Sequence, residues 1–416
     1  MLEQFYKDPA TVQRRRAGLL GPHLDSFIEV VSDLGYSRLS IFVRLRLLGD
    51  LERWLQRNAF GVNDLKEEVV DRFLEERRRT KKSRATGDPL SLRQFLDHLR
   101  QRGAVREADS TIDQSPLAAL QRRYEEYLRK ERGLSPVTAG RYWPFVRHFL
   151  VERFGDGPIR LQELAVTDVS GFLLRHARSS TPGVARLMVS ALRSFFRFLF
   201  RYGETDSDLS RAVLTVPTWR LAEVPKYLKS DEVERVIEAC DRSTAVGRRN
   251  RAVILLLARL GLRASEVVFL ELDDIDWRTG ELTVPGKGRF HDRLPLPPEV
   301  GEALAAYLRQ DRPKCSTRRI FLRMRAPCRG FLGPTTICTI VRRTVKKAGL
   351  EPPTTGAHLL RHSLATGMLR RGATMGEIGE ILRHRSPNTT EIYAKVDIEG
   401  LRSLARPWPT TEVNDD

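Results

Sequence analysis

The chain reads GAHLLRHSLATGMLRRGATMGEIGEILRHRSPNTTEIYAKV from residue 356 to residue 396, a run that combines histidine, arginine and tyrosine. His358 and Arg361 lie three positions apart in an apolar-periodic segment, which predicts that they share one face of a helix. His384 follows in a second predicted helix, and Tyr393 ends the run. Guanidinium groups bind phosphate oxygens, imidazoles move protons near neutral pH, and a phenol is a competent nucleophile. This combination favours chemistry on a phosphodiester.

A basic amphipathic helix with packed histidines would also contain a His-x-x-Arg pair, so residues farther upstream have to decide between the two interpretations. An apolar helix is predicted from residue 251 to residue 260, and Gly261 breaks it. Arg263 then stands at the start of the next predicted helix, with Glu266 one turn on. A tight reversal at Gly261 presents the arginine at a helix start instead of along its side.

The segment RTGELTVPGKGRFHDRLPLP, residues 278–297, predicts a β-hairpin. Its strands are expected near residues 281–285 and 292–296, with Lys287 between two glycines in the connecting loop. A further short strand is expected near residues 319–322. A lysine flanked by glycines usually lies in an exposed turn. Lys287 by itself therefore does not indicate a function, and other residues have to be considered with it.

Six residues, in their order along the chain, resemble the catalytic pattern of the tyrosine recombinases, a phage-integrase-like family of DNA strand-exchange enzymes. They are Arg263, Lys287, His358, Arg361, His384 and Tyr393. The matching motifs are GLRASE, GKG, HLLRH and LRHRSPNTTEIYAKV, and the resemblance covers residues 117–400. One departure is Arg383, which precedes His384 where the family commonly has glycine. We interpret it as a surface substitution.

The resemblance implies a role for each of these side chains. Tyr393 is expected to attack the phosphorus, and Arg263 and Arg361 to hold the non-bridging oxygens. Lys287 is expected to protonate the departing 5′ oxygen, His358 to assist proton movement and His384 to donate a hydrogen bond to the phosphate. Glu266 is expected to support Arg263 or His358. Neither a cofactor nor an obligatory metal is implied.

An internal repeat precedes and overlaps this region. Gly35-Tyr36-Ser37 corresponds to Gly133-Leu134-Ser135 at an offset of 98, and later pairs drift to offsets of 99 and 100. Two similar domains in tandem would produce this drift. Each copy is expected to contain about four amphipathic helices, with Phe195, Phe196 and Phe198 mostly in the core of the second copy.

We therefore predict a mainly α fold: two tandem helical bundles of the SAM-like, core-binding type, then a mostly helical α+β catalytic domain with a small β-hairpin sheet. The expected segments are an N-terminal helical domain at 1–110, a core-binding domain at 111–205, a linker at 206–229, the catalytic domain at 230–400 and a tail at 401–416. The tail region includes part of a short helix expected at residues 397–404.

The charge of the chain favours a polyanionic partner. Lys and Arg number 71 against 53 Asp and Glu, which gives a net charge of +18. Because this charge is spread over predicted folded helices, it indicates nucleic acid and not a membrane, and the family resemblance implies that the partner is double-stranded DNA. The arginines expected to contact phosphates in the second bundle are Arg141, Arg147, Arg193 and Arg197. The resemblance implies a homotetramer on two duplexes, with accessory DNA-bending or recombinase partners, in the cytoplasm and at the nucleoid when bound to DNA.

No metal site is expected. The four cysteines form no CxxC pair. His358 and His362 have the i, i+4 spacing of helical zinc ligands, but Leu359 stands where a zinc protease carries glutamate. We interpret His362 as a histidine packed behind the active helix.

Three functions remain open from the sequence. The first is an integrase or transposase that recombines DNA for a mobile element. The second is the same chemistry on one duplex, as in a type IB topoisomerase or a telomere resolvase. The third is a DNA-binding regulator without catalysis, which the intact Tyr393, Arg263, Arg361 and Lys287 argue against.

Overall fold

The structure, a computed structural model, describes residues 1–80, 87–106, 113–155, 157–215, 224–285, 291–396 and 402, with only the backbone of residue 80. The chain divides into two units, Met1–Val105 with Glu223–Asp416, and Arg106–Ala222. The predicted mainly helical fold with one small sheet is confirmed. Within the described ranges, no helix combines the length and apolar character needed to cross a bilayer.

The N-terminal bundle packs its helices around a core that contains Phe27, Trp54 and Phe95, each at most 1% exposed. Its helices are α1 (Pro9–Ala17), α2 (Gly21–Asp33), α3 (Arg38–Arg57), α4 (Glu67–Thr80) and α5 (Asp88–Gln101). The Ser37 hydroxyl accepts a hydrogen bond from the backbone N–H of Ser40 at 3.3 Å, so it caps α3.

The second bundle contains α6 (Pro116–Lys130), α7 (Pro136–Phe154), α8 (Val166–Ser179) and α9 (Pro182–Arg201). Ser135 caps α7 through the backbone N–H of Thr138 at 3.3 Å. Phe195, Phe196 and Phe198 lie in the core, as the helical spacing predicts. These aromatic rings stabilise the bundle and are not on its surface.

The order of elements recurs between the two bundles. A short 3₁₀ turn precedes the second-to-last helix of each bundle: Val62–Asp64 precedes α4, and Leu161–Glu163 precedes α8. The glycines before the capping serines both have positive φ, 76° at Gly35 and 59° at Gly133. Because an L-residue rarely adopts this conformation, the two copies use glycine for the same turn.

The C-terminal region contains seven helices and a three-stranded sheet within the described residues. The helices are α10 (Ser230–Glu238), α11 (Ala245–Arg259), α12 (Ala264–Phe269), α13 (Pro298–Gln310), α14 (Pro334–Lys347), α15 (His358–Arg370) and α16 (Met375–Ile381). The antiparallel strands, in the order β1-β2-β3, are β1 (Ile275–Asp276), β2 (Glu281–Pro285) and β3 (His291–Pro295).

The hairpin prediction is correct for β2 and one residue late for β3. The third strand is β1, whereas residues 319 and 322 form only isolated bridges to Glu271 and Gly330. Leu282 and Val284 alternate inward and are fully buried, which anchors the hairpin on the core. The sheet therefore holds both ends of the loop that carries Lys287.

Helix α11 is the centre of this region because its segment from Ala252 to Leu257 is apolar on every side. All residues from Ala252 to Leu257 are 0% exposed, and α11 contacts α13, α14 and α15. Since α11 packs against α15, the turn after α11 lies beside the start of α15. This packing places Arg263 next to Arg361, which is 98 residues farther along the chain.

Candidate active site

A sharp reversal of the chain between α11 and α12 presents Arg263. Gly261 has a φ of 58°, and a Cβ there would lie 2.6 Å from Cδ2 of Leu382, so both conformation and packing require glycine. Arg263 stands at the N-cap of α12, where its backbone N–H donates to Oε2 of Glu266 and its Nη1 to Oε1, both at 2.7 Å. The buried Glu266 carboxylate thus caps α12 and orients the guanidinium.

Arg361 lies on the first turn of α15 and is only 3% exposed. Its Nη1 and Nη2 donate to the carbonyl oxygens of Gly261 and Leu382. Burial, with Arg263 and Arg383 nearby, lowers the pKa of Arg361 to about 10, so the group stays charged at pH 7. A cation held in this way is ready to bind an anion that enters the site.

Arg383 occupies the turn between α16 and His384, and the prediction of a surface substitution is wrong. Its side chain is 7% exposed, and its Nη2 donates to Oε2 of Glu266 at 2.6 Å. Its Nε lies 3.8 Å from Oδ2 of Asp292 on β3. Arg263 and Arg383 therefore share one carboxylate, and the turn is tied to the hairpin.

The backbone of Arg383 explains why glycine suits this position. Its φ is 54°, a left-handed conformation that costs a residue with a Cβ roughly 1–2 kcal/mol. The Arg383 carbonyl oxygen also accepts a hydrogen bond from Nη2 of Arg263 at 3.3 Å. Among the described residues, Nη1 of Arg383 is buried and has no hydrogen-bond partner. The ion pair with Glu266 offsets the cost of the conformation.

Tyr393 lies in the 3₁₀ turn Glu391–Val396, which packs on α15 and α16, and the residue is 1% exposed. Its Oη lies 2.9 Å from Nδ1 of His362. Burial raises the pKa of Tyr393 to about 12, although the charge of Arg361 opposes the shift. Burial lowers the pKa of His362 to about 4, and His358 and Arg361 add to the shift. A protonated phenol therefore faces a neutral imidazole.

His384 is a second histidine neighbour of the phenol. Its ring is parallel to that of Tyr393, with an interplanar angle of 3° and centroids 6.4 Å apart. Its Nδ1 is 2.8 Å from Oγ1 of Thr390. Burial lowers the pKa of His384 to about 4, and the charges of Arg361 and Arg263 act in the same direction. His384 is thus neutral at pH 7, oriented by Thr390, and close to the nucleophile.

His358 begins α15, one turn before His362, and their ring centroids are 6.0 Å apart. Burial lowers the pKa of His358, and the charges of Arg361 and Arg263 contribute. Lys287 lies outside the described residues. The strands before and after its loop, β2 and β3, pair along their whole length, from Glu281 opposite Pro295 to Pro285 opposite His291.

The structure brings five of the six predicted catalytic residues into one region: Arg263, His358, Arg361, His384 and Tyr393. Sequence reasoning missed the contact of His362 with Tyr393 and the burial of Arg383. The available signals were a second histidine one turn after His358 and a residue other than glycine before His384.

The arginines predicted to contact DNA differ in their surroundings. Arg141, Arg147 and Arg197 are exposed on α7 and α9. Arg193 is half-buried, and its Nη2 donates to the carbonyl oxygen of Val213 at 2.7 Å and to Oγ1 of Thr215 at 3.1 Å. Arg193 therefore holds the chain that leaves the second bundle.

One group of described residues has the spacing of metal ligands, in the second bundle. Nitrogen and oxygen atoms of His148, Glu152 and His176 all lie within 4.8 Å of one another. His176 Nε2 is 2.6 Å from Oε2 of Glu152, and Arg175 Nε donates to Oε1 at 3.0 Å. These bonds already satisfy the carboxylate, so the group is explained as an ion-pair cluster.

Two family descriptions match the chain. Residues 226–399 match the phage integrase family, and residues 122–203 match the N-terminal SAM-like domain of phage integrases. The first range contains the five residues brought together in the site, and it also contains Lys287. The second range covers the second bundle from within α6 to just past the end of α9.

Similar proteins agree with this assignment. The protein y4rA of Sinorhizobium fredii, described as an integrase/recombinase, is 43% identical over 98% of this chain and 99% of its own length. The tyrosine recombinase XerD of Listeria monocytogenes is 33% identical over 65% of this chain and 91% of its own length.

Two solved structures share the fold. XerH recombinase bound to a palindromic difH substrate is 20% identical over 74% of this chain and 92% of that chain, with a TM-score of 0.54. A lambda integrase dimer bound to a COC′ core site is 20% identical over 71% and 98%, with a TM-score of 0.52. The family is shown by the phage integrase match, by the 43% identity to y4rA over nearly its whole length and by the 33% identity to XerD: the chain belongs to the phage integrase family of tyrosine recombinases.

Proposed function

We propose that this protein is a site-specific recombinase that cuts and rejoins double-stranded DNA through a 3′-phosphotyrosyl intermediate and serves a mobile element as an integrase or transposase. The observation that carries the proposal is the placement of the Tyr393 phenol beside two imidazoles and close enough to Arg361 for its charge to act on the phenol. The second guanidinium, Arg263, is anchored to the same turn as Arg361.

In this proposal the side chains divide the work of a phosphoryl transfer. Oη of Tyr393 forms a bond to phosphorus as the bond from phosphorus to the 5′ oxygen breaks. Arg263 and Arg361 bind the non-bridging oxygens, and His384 donates a hydrogen bond to them. His358 assists proton movement, and Lys287 protonates the departing 5′ oxygen. The bond energy is kept in the phosphotyrosine, so rejoining is the reverse reaction and needs no ATP.

Oη of Tyr393 has to become accessible to DNA before it attacks. At 1% exposure its Oη is closed off from a duplex, although its two histidine neighbours are already in place. The turn Glu391–Val396 is only six residues long. A small shift of this turn on DNA binding that keeps the contact between Oη and His362 would uncover the phenol without disturbing the anchored arginines.

The proposed DNA grip uses both the C-terminal region and the second bundle. Arg141, Arg147 and Arg197 are exposed and available to phosphates, and Arg193 lies about one turn before Arg197 on α9. We further propose the segment boundaries given by the sequence, with residues 1–110 as an added copy of the core-binding type. A homotetramer on two duplexes is the proposed assembly; the lambda integrase tetramer bound to a Holliday junction shares this fold at a TM-score of 0.51.

A suicide duplex tests the proposal. The DNA is taken from the sequence beside the gene and nicked next to the cleavage point, so that the covalent adduct cannot religate. We expect the wild type to form an adduct, Tyr393→Phe to form none, and the DNA affinity of the variant to stay within about twofold, because one hydroxyl adds little to a largely ionic interface. Tyr227→Phe, outside the site, is the matched control.

The outcomes separate the competing functions. A wild type that binds DNA but forms no adduct on any flanking sequence would refute the proposal and favour a regulator. An adduct that persists in Tyr393→Phe would show that the nucleophile is wrong. Relaxation of a supercoiled plasmid that lacks the flanking sequence would favour a topoisomerase.

A further inference from the structure

His362 holds a position in the site that the sequence does not suggest. It lies one turn after His358 on α15 and next to Arg361, and its Nδ1 is 2.9 Å from Oη of Tyr393. We infer that His362 is the base that accepts the phenolic proton of Tyr393 during attack. This inference rests on the proposed function, since it needs Tyr393 to be the nucleophile.

The geometry favours His362 over the other two histidines. His384 stacks on the phenol, but its Nδ1 is occupied by Oγ1 of Thr390 at 2.8 Å. His358 has its ring centroid 6.0 Å from that of His362, on the side of the arginines. Among the described residues, His362 is the hydrogen-bond partner of Oη of Tyr393. A general base has to be within hydrogen-bond reach of the proton that it removes, and His362 meets this condition.

The charge state is also correct for an acceptor. Burial keeps the pKa of His362 at about 4, so the imidazole is neutral at pH 7 and has one nitrogen without a proton. The phenol, with its pKa raised to about 12 by burial, keeps its proton and donates. The bond at 2.9 Å is satisfied when the ring hydrogen is on Nε2 and Nδ1 accepts.

The large difference between the two pKa values means that the proton does not move in the free protein. It moves as the bond between Oη and phosphorus forms, because electron density leaves the phenolic oxygen and its proton becomes acidic. The phosphate anion in the site also raises the pKa of the imidazole. In this step Nδ1 gains the proton, phosphorus loses the 5′ oxygen, and Lys287 protonates that oxygen. In rejoining, His362 returns its proton to Tyr393.

Other groups around His362 define its pH dependence. On α15 these are His358 and Arg361, and His384 lies beside the same phenol. His358 and His384 are also held neutral at pH 7 by burial and by the arginines. The pH profile therefore has to be compared between variants that differ only at position 362.

Two substitutions separate proton acceptance from positioning. His362→Asn keeps an amide oxygen close to the place of Nδ1, so the tyrosine retains a hydrogen-bond acceptor that has no basicity. His362→Phe keeps the ring volume and removes the acceptor. The control is His23→Asn in α2, a partly buried histidine of the N-terminal bundle. Unfolding by circular dichroism and DNA affinity are measured for all variants.

The readout is the single-turnover rate of adduct formation on the nicked duplex. We expect both His362 variants to lose about 10²–10⁴-fold in rate, the range of general base catalysis, while His23→Asn matches the wild type. The wild-type rate should level off above the pKa of His362, whereas the rate of His362→Asn should keep rising with pH. Replacing Tyr393 by a fluorinated tyrosine, whose phenol is more acidic, should accelerate His362→Asn more than the wild type.

Each result bears on one hypothesis. If His362 only holds the tyrosine in its buried position, both variants will cleave faster than the wild type, and the inference is overturned. Full activity of His362→Asn beside a slow His362→Phe would reduce the role to positioning and would also overturn it. A wild type that forms no adduct at all would instead contradict the proposed function.

Discussion

Glu266→Gln tests the charge balance that holds the two halves of the site together. The Glu266 carboxylate is buried and accepts three hydrogen bonds, two from Arg263 at 2.7 Å and one from Arg383 at 2.6 Å. Glutamine has nearly the same shape but no charge. Its NH2 group is a hydrogen-bond donor that would face guanidinium N–H groups, which are also donors. The change therefore leaves two guanidinium groups facing each other across a neutral residue.

The expected loss of stability in Glu266→Gln comes mainly from the ion pair with Arg383. Its side chain is 7% exposed, and at an effective dielectric constant of about 20 a pair of charges about 4 Å apart is worth about 4 kcal/mol. Arg263 is 38% exposed, so water screens its pair with Glu266 and it adds little. Asp292, 3.8 Å from Arg383, compensates part of the loss. We expect a local destabilisation of about 3–5 kcal/mol, as for other broken buried ion pairs.

The assay is amide hydrogen exchange on the full-length protein, followed by mass spectrometry of peptides that cover α12 and residues 382–390. Exchange reports the free energy of local opening, which suits a chain with several cores. Glu302→Gln, an exposed substitution on α13, is the control and should change protection by less than about 0.5 kcal/mol. Protection of α12 in Glu266→Gln should fall well below that of the control.

A double-mutant cycle makes the test sharper. In the wild type, Arg383→Gly removes the ion pair but relieves the left-handed backbone and the buried Nη1, so we expect a net effect within about 2 kcal/mol. In the Glu266→Gln background the same change removes an unpaired buried cation and should stabilise the protein. Additive effects, or a loss below about 1 kcal/mol for Glu266→Gln alone, would refute the shared-carboxylate network.

Two further predictions concern the turn before Arg263 and the buried histidines. Gly261→Ala should destabilise the C-terminal region by about 1–3 kcal/mol, since φ is 58° and the new Cβ would lie 2.6 Å from a Leu382 methyl; an unchanged urea midpoint would contradict this. His362 and His384 have folded pKa values of about 4, below the unfolded value, so the unfolded chain binds more protons and stability should fall as the pH drops from about 6.5 to 4. Replacing both histidines by asparagine should flatten this part of a stability profile measured by urea unfolding; a profile of unchanged slope would show that other groups cause it.

The sequence by itself determined the kind of side chains in the site and most of the local structure. Periodicity and turn residues predict β2 from Glu281 to Pro285, the reversal at Gly261 and the inward-facing phenylalanines of α9. These features depend on interactions between residues close in the chain, where propensity and pattern act directly. The motif spacing was likewise sufficient to identify the family, because each box is local.

Only the tertiary structure decided which partners these side chains meet. His362 bonds Tyr393 across 31 positions, and Arg383 reaches Glu266 across 117. Such contacts arise from the packing of α15, α16 and the last 3₁₀ turn, which no local pattern encodes. The burial of Arg383 has the same cause. From the sequence alone an arginine is expected to be exposed, and Arg383 is stable in the interior because the fold brings the Glu266 carboxylate to it.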